Sequence, residues 1–399
     1  MNGVEIRAAR AAEADDALRV LCAAFGLNYD AARPIYYRDP FFDLSHKRLL
    51  LTPTDGILSC LTVIPSLLRV GRAWVPMGGI AGVATRPDRQ GQGWGSRLLA
   101  VSVPSLADEL GYPLSGLFPA TEGLYRRAGW ETVSEAVRWR GRPADLLAHA
   151  EGLLVRPRVE DDAPTVRALQ ATMAVGLTGG CVRDERRWRV IEAAPGREWV
   201  VYQPPGEPVT GYAAYEGVAD EGKDTLRLLE MHGATPEARR GLIGFFARQT
   251  PRAANLEWPA AEADLAAFGL TGDGMAREPG MMLRLTDVPA ALAAVHAANL
   301  APVLARTGQT LTVHAQDALR PANARPVRLA AAGVTPGTDA DPDWIAADMR
   351  VLAQLYLGYC VPSDAHGQGR LRASSPSALA LADELFPTRA PFVAPLDQF

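Results

Sequence analysis

The chain has 399 residues, more than one hydrophobic core usually supports, so two or three domains are expected. Its 41 lysines and arginines against 45 aspartates and glutamates leave a formal net charge of −4. With no run of basic residues, that balance excludes a general nucleic-acid binder.

Cys22, Cys60, Cys181 and Cys360 are too far apart for a C-x-x-C metal or redox pair and read as free thiols. Residues 1–16 lack the apolar stretch of a signal peptide. No apolar run reaches the roughly 18 residues of a membrane span, so a cytoplasmic protein without membrane or nucleic-acid partners is expected. Val4 to Arg7 reads as a strand. A helix follows from about Glu13, with Ala17, Leu18, Leu21 and Phe25 as its apolar stripe. Gly56 to Ser66 and Leu67 to Val75 read as two strands with a turn at Gly71-Arg72, and Gly78 to Thr85 as another. Past the turn Arg86 to Arg89 comes Gln90-Gly91-Gln92-Gly93-Trp94-Gly95, then a helix from Ser96 to about Leu110. Glycines leave the backbone N–H groups here unscreened, and a helix start adds partial positive charge. The segment therefore predicts a cradle for a pyrophosphate, with a glycine-rich surface turn as the alternative.

The spacing narrows the ligand. A dinucleotide loop needs G-x-G-x-x-G and an acid about 20 residues on, whereas the glycines here run G-x-G-x-G. A nucleotide-hydrolase loop needs a lysine, and none follows Gly95. Q/R-x-x-G-x-G fits, and the segment resembles the pyrophosphate loop of the GCN5-related N-acetyltransferases (GNAT). Downstream, Pro113 to Phe118 reads as a strand, and a helix carrying Tyr125 ends near Gly129. The order β-α-(β)-β-β-α-β-α is the topology that resemblance implies.

The opening then recurs in outline, with chance similarity of strand-then-helix openings as the alternative. Val155 to Ala163 echoes Ile6-Arg7 through Asp15-Asp16-Ala17. Trp199–Tyr202 and Val209–Tyr215 read as strands around a Pro204-Pro205-Gly206 turn, Leu226 to Met231 as a third, and Pro236 to Arg248 as a helix. The corresponding loop, Gly233 to Arg240, has lost the G-x-G, so this second copy is not expected to hold the cofactor. A third region starts at Gly280–Leu285. Asp287 is placed to cap a Pro289–Leu300 helix; Thr310–Val313 reads as a strand and Val334–Pro342 as a loop. Leu352–Gly358 and Ser377–Phe386 read as helices before an apolar ending at Phe399.

Acetyl transfer needs a pyrophosphate cradle, a strand edge for the pantetheine arm, a base for the amine and an acid for the leaving thiolate. The cradle is Gln90, Gly91, Gln92, Gly93, Trp94, Gly95 and Ser96, and the edge is Val83, Ala84 and Thr85. Those three residues read equally as an ordinary central strand. Tyr125, in Leu124-Tyr125-Arg126-Arg127-Ala128-Gly129-Trp130, matches the L-Y-x-x-x-G-[FW] signature of the same acetyltransferases. Its phenol, with a pKa near 10, is a fit donor to a thiolate whose conjugate acid lies at about 8.5. Thr121 is counted with the cofactor contacts and reads alternatively, with Glu122, as a helix cap. No metal is expected.

The whole chain resembles the enhanced intracellular survival (Eis-like) family of acetyltransferases. The resemblance is carried by the Gln90–Gly95 loop, Tyr125, Met282-Leu283-Arg284-Leu285-x-Asp287-Val288, the 352–358 run and Leu385-Phe386-Pro387. It implies an α/β (α+β) protein: an active GNAT fold over residues 1–140, a degenerate one over 141–285, and a sterol-carrier-like domain over 286–399. It implies acetyl-coenzyme A as co-substrate and small polycationic amines, such as aminoglycosides, or lysine-like amines as acceptors. A homohexamer of paired trimers is also implied. By position, the terminal carboxylate of Phe399 is the base. Free in water such a group titrates at about 3.5 and is a feeble base, so the role requires burial of the tail; a frayed end is the alternative. Tyr36, Tyr37 and Trp74 are expected as aromatic walls of the acceptor site, with Asp30 and Asp397 to meet cationic amines. The sequence departs from the family in having Gln398 before the last phenylalanine and no strongly acidic tract. Two competing functions remain: a lipid- or sterol-binding protein, and an acetyltransferase that modifies a natural product in resistance or biosynthesis.

Overall fold

The computed structural model describes residues 3–220, 223–249, 252–270 and 274–399. They form two compact units. The first holds residues up to 133, 281–389 and 399; the second holds 134–280 and 390–398.

The first unit opens with β1 (Glu5–Ala8), α1 (Ala14–Phe25) and α2 (Tyr29–Arg38). Gly26, left-handed at φ 66°, stops α1, and the Asn28 side chain caps α2 by accepting from Ala31 N–H. Then come β2 (Lys47–Thr52), β3 (Gly56–Val70), β4 (Ala73–Thr85), α3 (Trp94–Asp108), β5 (Leu114–Leu117), α4 (Glu122–Arg127) and β6 (Glu131–Thr132). The two strands expected over 56–75 are one long hairpin. The turn does fall at Gly71-Arg72, but β3 runs unbroken up to it and β4 continues to Thr85. Leu98, Leu99, Val103 and Leu106 of α3 are buried with Leu58, Leu61, Val63 and Ile80, which fixes that helix against β3 and β4.

The second unit holds β7 (Glu135–Gly141), β8 (Val155–Pro157), α5 (Ala163–Gly176), α6 (Glu185–Glu192), β9 (Arg197–Tyr202), β10 (Gly211–Asp220), β11 (Lys223–Gly233), α7 (Pro236–Ala247), β12 (Asn255–Ala260) and β13 (Met275–Pro279). Its sheet has the order β13-β7-β12-β11-β10-β9-β8. The next strand, β14 (Met282–Leu285), follows these in sequence yet pairs in the first unit, whose sheet runs β1-β2-β3-β4-β5-β14-β6. Each of these two seven-stranded sheets is thus completed by a strand remote in sequence from its neighbours.

A third sheet, β17-β16-β15-β18-β19, belongs to the first unit and comprises β15 (Leu311–Gln316), β16 (Val327–Ala330), β17 (Gly333–Pro336), β18 (Trp344–Asp348) and β19 (Leu371–Ala373). Residues 334–336, expected as loop, are therefore strand: β17 hairpins onto β16 with Gly333 paired to Ala330. Asp287 accepts from Ala290 N–H and caps the following helix as expected. That helical run, Val288–Thr307, is longer than expected and corrects the statement that no apolar segment has spanning length. It has 20 residues and a mean hydropathy of 1.6. Its alanines, valines and leucines carry that hydropathy, while His296 and Asn299 on the same run hydrogen-bond the Ala330 and Val70 carbonyls.

Candidate active site

Two irregularities in β4 shape the site. Cys60 pairs with Ala84 and Thr62 with Ala81, so Gly82 and Val83 stand opposite Leu61 alone. This is a β-bulge, with Gly82 left-handed at φ 57°. On its other side β4 pairs with β5 only through Met77, Gly78 and Gly79. From Ile80 to Thr85 its described pairing is to β3 alone, so the β5-facing edge along Val83, Ala84 and Thr85 is closed by no strand and can take an added extended chain.

The glycine loop follows at the end of that edge. Gly91 and Gly93 are left-handed at φ 74° and 83°, and no heavy atom stands within 4 Å of where a Cβ would be on either. Gly93 is the N-cap of α3 and brings no capping side chain, and the first turn holds no acidic residue. The first N–H groups of α3 are thus left for an external acceptor, which suits an anion. Gln90 donates to the Thr85 carbonyl (3.3 Å) and Trp94 Nε1 to Gln92 Oε1 (3.2 Å), tying the loop to the strand and to itself. Thr85 is held in turn by Ser59, hydroxyl to hydroxyl at 2.7 Å.

The equivalent turn in the second unit is filled. Thr235 Oγ1 accepts from Ala238 N–H (3.1 Å), Glu237 occupies the first turn of α7, and Arg239 Nε donates to the Gly233 carbonyl (2.9 Å). Its N-terminus is capped from within, which is the physical meaning of the missing G-x-G.

Tyr125 lies on α4, partly buried against the same core as α3. Burial pushes its phenol up, and the hydroxyl hydrogen-bonds to none of the described residues. Thr121 is the N-cap of α4 without using its side chain as a cap, so its hydroxyl is also unspent. The glycine of the Tyr125 motif has a clear cause: Gly129 is left-handed at φ 87°, and the Arg284 guanidinium occupies the place of a Cβ. Arg284 also donates to the Ala128 carbonyl (2.8 Å) and to both oxygens of Asp317 (2.6 Å each).

Phe399 belongs to the first unit. Its ring packs edge-on against Phe118 (centroids 5.4 Å apart, interplanar 79°) and directly over Gly79, where a Cβ would lie 2.3 Å from the ring. Gly79 is the last β4 residue paired to β5, so the ring sits at the fork where these strands part. Gly79 and Phe118 were not singled out from the sequence. The signal for the first was present, since a glycine inside a strand often marks a close approach.

The expected acceptor residues are not gathered in one place. Tyr36, Tyr37 and Phe42 form a cluster with centroids 5.1 to 5.4 Å apart. The buried Lys47 places Nζ 4.3 Å over the Tyr36 ring, and Tyr37 donates to Asp15 (2.9 Å). Asp30 is exposed in the first turn of α2. Trp74 stands at the opposite end of β4 from the glycine loop, under the Arg69 guanidinium. Asp397 lies in the second unit, buried and bonded to Arg183, so it is not open to a cationic amine. Three of the six histidines are committed elsewhere: His46 to Tyr112, His296 to Ala330, His366 to Leu371.

Comparison with known proteins agrees with this geometry. Residues 5–133 match the acetyltransferase (GNAT) domain, residues 179–285 a second acetyltransferase (GNAT) domain, and residues 288–394 the sterol carrier protein domain. No curated protein matches the sequence. Among solved structures, a GCN5-related N-acetyltransferase from Anabaena variabilis is 21% identical with a TM-score of 0.83, covering 99% of this chain and 100% of that one. One from Kribbella flavida is 23% identical at 0.79, covering 99% and 98%. Eis1 from Mycobacterium abscessus is 22% identical at 0.75, covering 99% and 100%. At these identities the likeness is one of fold.

Proposed function

Because this chain is a GNAT-family N-acetyltransferase of Eis-like architecture, two such domains followed by a sterol carrier domain, we propose that it passes the acetyl group of acetyl-coenzyme A directly to a primary amine of a small molecule. The observation that carries this is the uncapped start of α3 beside the half-unpaired β4. The co-substrate supplies the thioester. The N–H groups after Gly93 hold its diphosphate, and the β4 edge at Val83–Thr85 takes the pantetheine amides and polarises the acyl carbonyl. Thr121 adds a hydroxyl, the Phe399 carboxylate accepts the amine proton, and Tyr125 protonates the departing sulfur. Burial keeps the phenol protonated, so the proton is present to be given, while making it a weaker acid than a free phenol.

Polycationic amines such as aminoglycosides, and lysine-like amines, are the proposed acceptors, met by the Tyr36–Tyr37 cluster and Asp30. We place the protein in the cytoplasm as a homohexamer, and keep 1–140, 141–285 and 286–399 as its functional divisions. The test combines acetyl-coenzyme A with kanamycin, spermidine and Nα-acetyllysine, following thiol release and product mass. Acetylated product is expected from at least one acceptor. Tyr125→Phe should lower kcat by about a hundredfold while leaving Tm unchanged. Full activity in Tyr125→Phe removes it as the acid, and no product from any amine contradicts the acceptor class.

A further inference from the structure

Among the described residues no polar group holds the tip of Tyr125, so its aim is set from the backbone end and by packing. Helix α4, which carries it, has six residues, too few to stand alone. The turn that ends α4 closes on the Tyr125 carbonyl, which accepts from Ala128 N–H (2.9 Å) and Trp130 N–H (3.1 Å). The Ala128 carbonyl accepts in turn from Arg284 Nη1 (2.8 Å). A cation at that place suits the exposed carbonyls of a helix end. Arg284 lies on β14 opposite Ser115 of β5, and the Trp130 indole N–H donates to the Ser115 carbonyl (3.1 Å). The segment behind Tyr125 is thus tied twice to the sheet of its own unit.

The other guanidinium nitrogen reaches into the stretch that matches the sterol carrier protein domain. Arg284 Nη2 donates to both Asp317 oxygens (2.6 Å each), and the two side chains are 2% and 1% exposed. Asp317 is itself fixed: it accepts from Leu319 N–H (2.9 Å) and from Asn323 Nδ2 (2.9 Å). Asn323 Oδ1 accepts in turn from Val288 N–H (2.9 Å) at the start of the 288–307 helical run. A buried ion pair is costly to desolvate, and apolar side chains of like volume often stabilise as well. What this one supplies is direction. Two nitrogens of one rigid plane grip two acceptors, one at the end of α4 and one in the 317–323 segment. We infer that Arg284 and Asp317 are positioning residues for acetyl transfer, the sterol-carrier-like part of this unit bracing the helix that presents Tyr125. This rests on the proposed role of Tyr125 as the acid.

The test uses the full chain with acetyl-coenzyme A and whichever of kanamycin, spermidine and Nα-acetyllysine turns over fastest. Arg284→Lys keeps the buried charge beside Asp317 but has one nitrogen where the guanidinium uses two. It is expected to lower kcat about tenfold, with KM for acetyl-coenzyme A unchanged. Arg284→Met combined with Asp317→Asn leaves no unpaired buried charge, so the chain should fold, and it is expected to lose as much. In a Tyr125→Phe chain the same changes should lower kcat no further, because the group they aim is gone. A brace that served stability alone would cost the same in both backgrounds. Wild-type kcat in either variant, or an equal loss with and without the Tyr125 hydroxyl, overturns the inference and leaves Tyr125 as the acid. Full activity in Tyr125→Phe overturns both.

Discussion

At the scale of single residues the site is decided by what is missing. Gly79 lacks the Cβ that would displace the Phe399 ring, and Gly93 lacks the side chain that would cap α3. Gly79→Ala should therefore move the ring and lower kcat by about tenfold or more, with KM for acetyl-coenzyme A held, as steady-state kinetics can show. An unchanged kcat means the ring placement is immaterial to the rate. The glycine turn and the helix after it were legible in the sequence because their signal is local: six consecutive residues mark both. The partnership of Gly79 with Phe399, 320 positions apart, leaves no such trace. Nor does the withdrawal of Asp397 from the acceptor site, because its partner Arg183 is 214 positions away.

At the scale of elements, α3 and α7 are the same helix in two repeats with opposite endings. Thr235 caps α7 with its own hydroxyl, whereas no side chain caps the first N–H groups of α3. Thr235→Ala should cost about 1 kcal/mol in a denaturant melt and leave acetylation untouched. A loss of activity without a loss of stability would assign α7 a part in the chemistry. The repeat itself was readable, because its strands keep their apolar runs and its loop visibly lost two glycines. The exchange of β7 and β14 between sheets was not, since pairing partners are set by distant residues and both strands look ordinary alone. Helix α2 was also missed: none of its residues is buried and Pro34 interrupts it, so no apolar stripe announces it.

At the scale of the whole molecule, acid should act through carboxylates held below their usual range. The Arg7 guanidinium, hydrogen-bonded to Glu13, brings its carboxyl down to about 2, and Arg156 lowers Asp162 in the second unit. Burial pushes Asp317 up, but Arg284 and Asn323 more than offset it and leave it low. Groups depressed by folding stabilise fully above their unfolded values, about 4, and lose that contribution as pH falls toward the folded ones. Tm is therefore expected to hold from neutrality to about pH 5 and to fall between about pH 4 and 2. Glu13→Gln should flatten that fall in part. A Tm independent of pH there contradicts the pairing.

The division of labour between the two GNAT folds is the claim on which the rest depends. Calorimetric titration of the full chain with acetyl-coenzyme A, repeated on Gly93→Val, addresses it most directly. One molecule bound per chain, with affinity at least about tenfold weaker in the variant, is the predicted result. Two molecules per chain, no binding heat, or an affinity indifferent to Gly93 would contradict it.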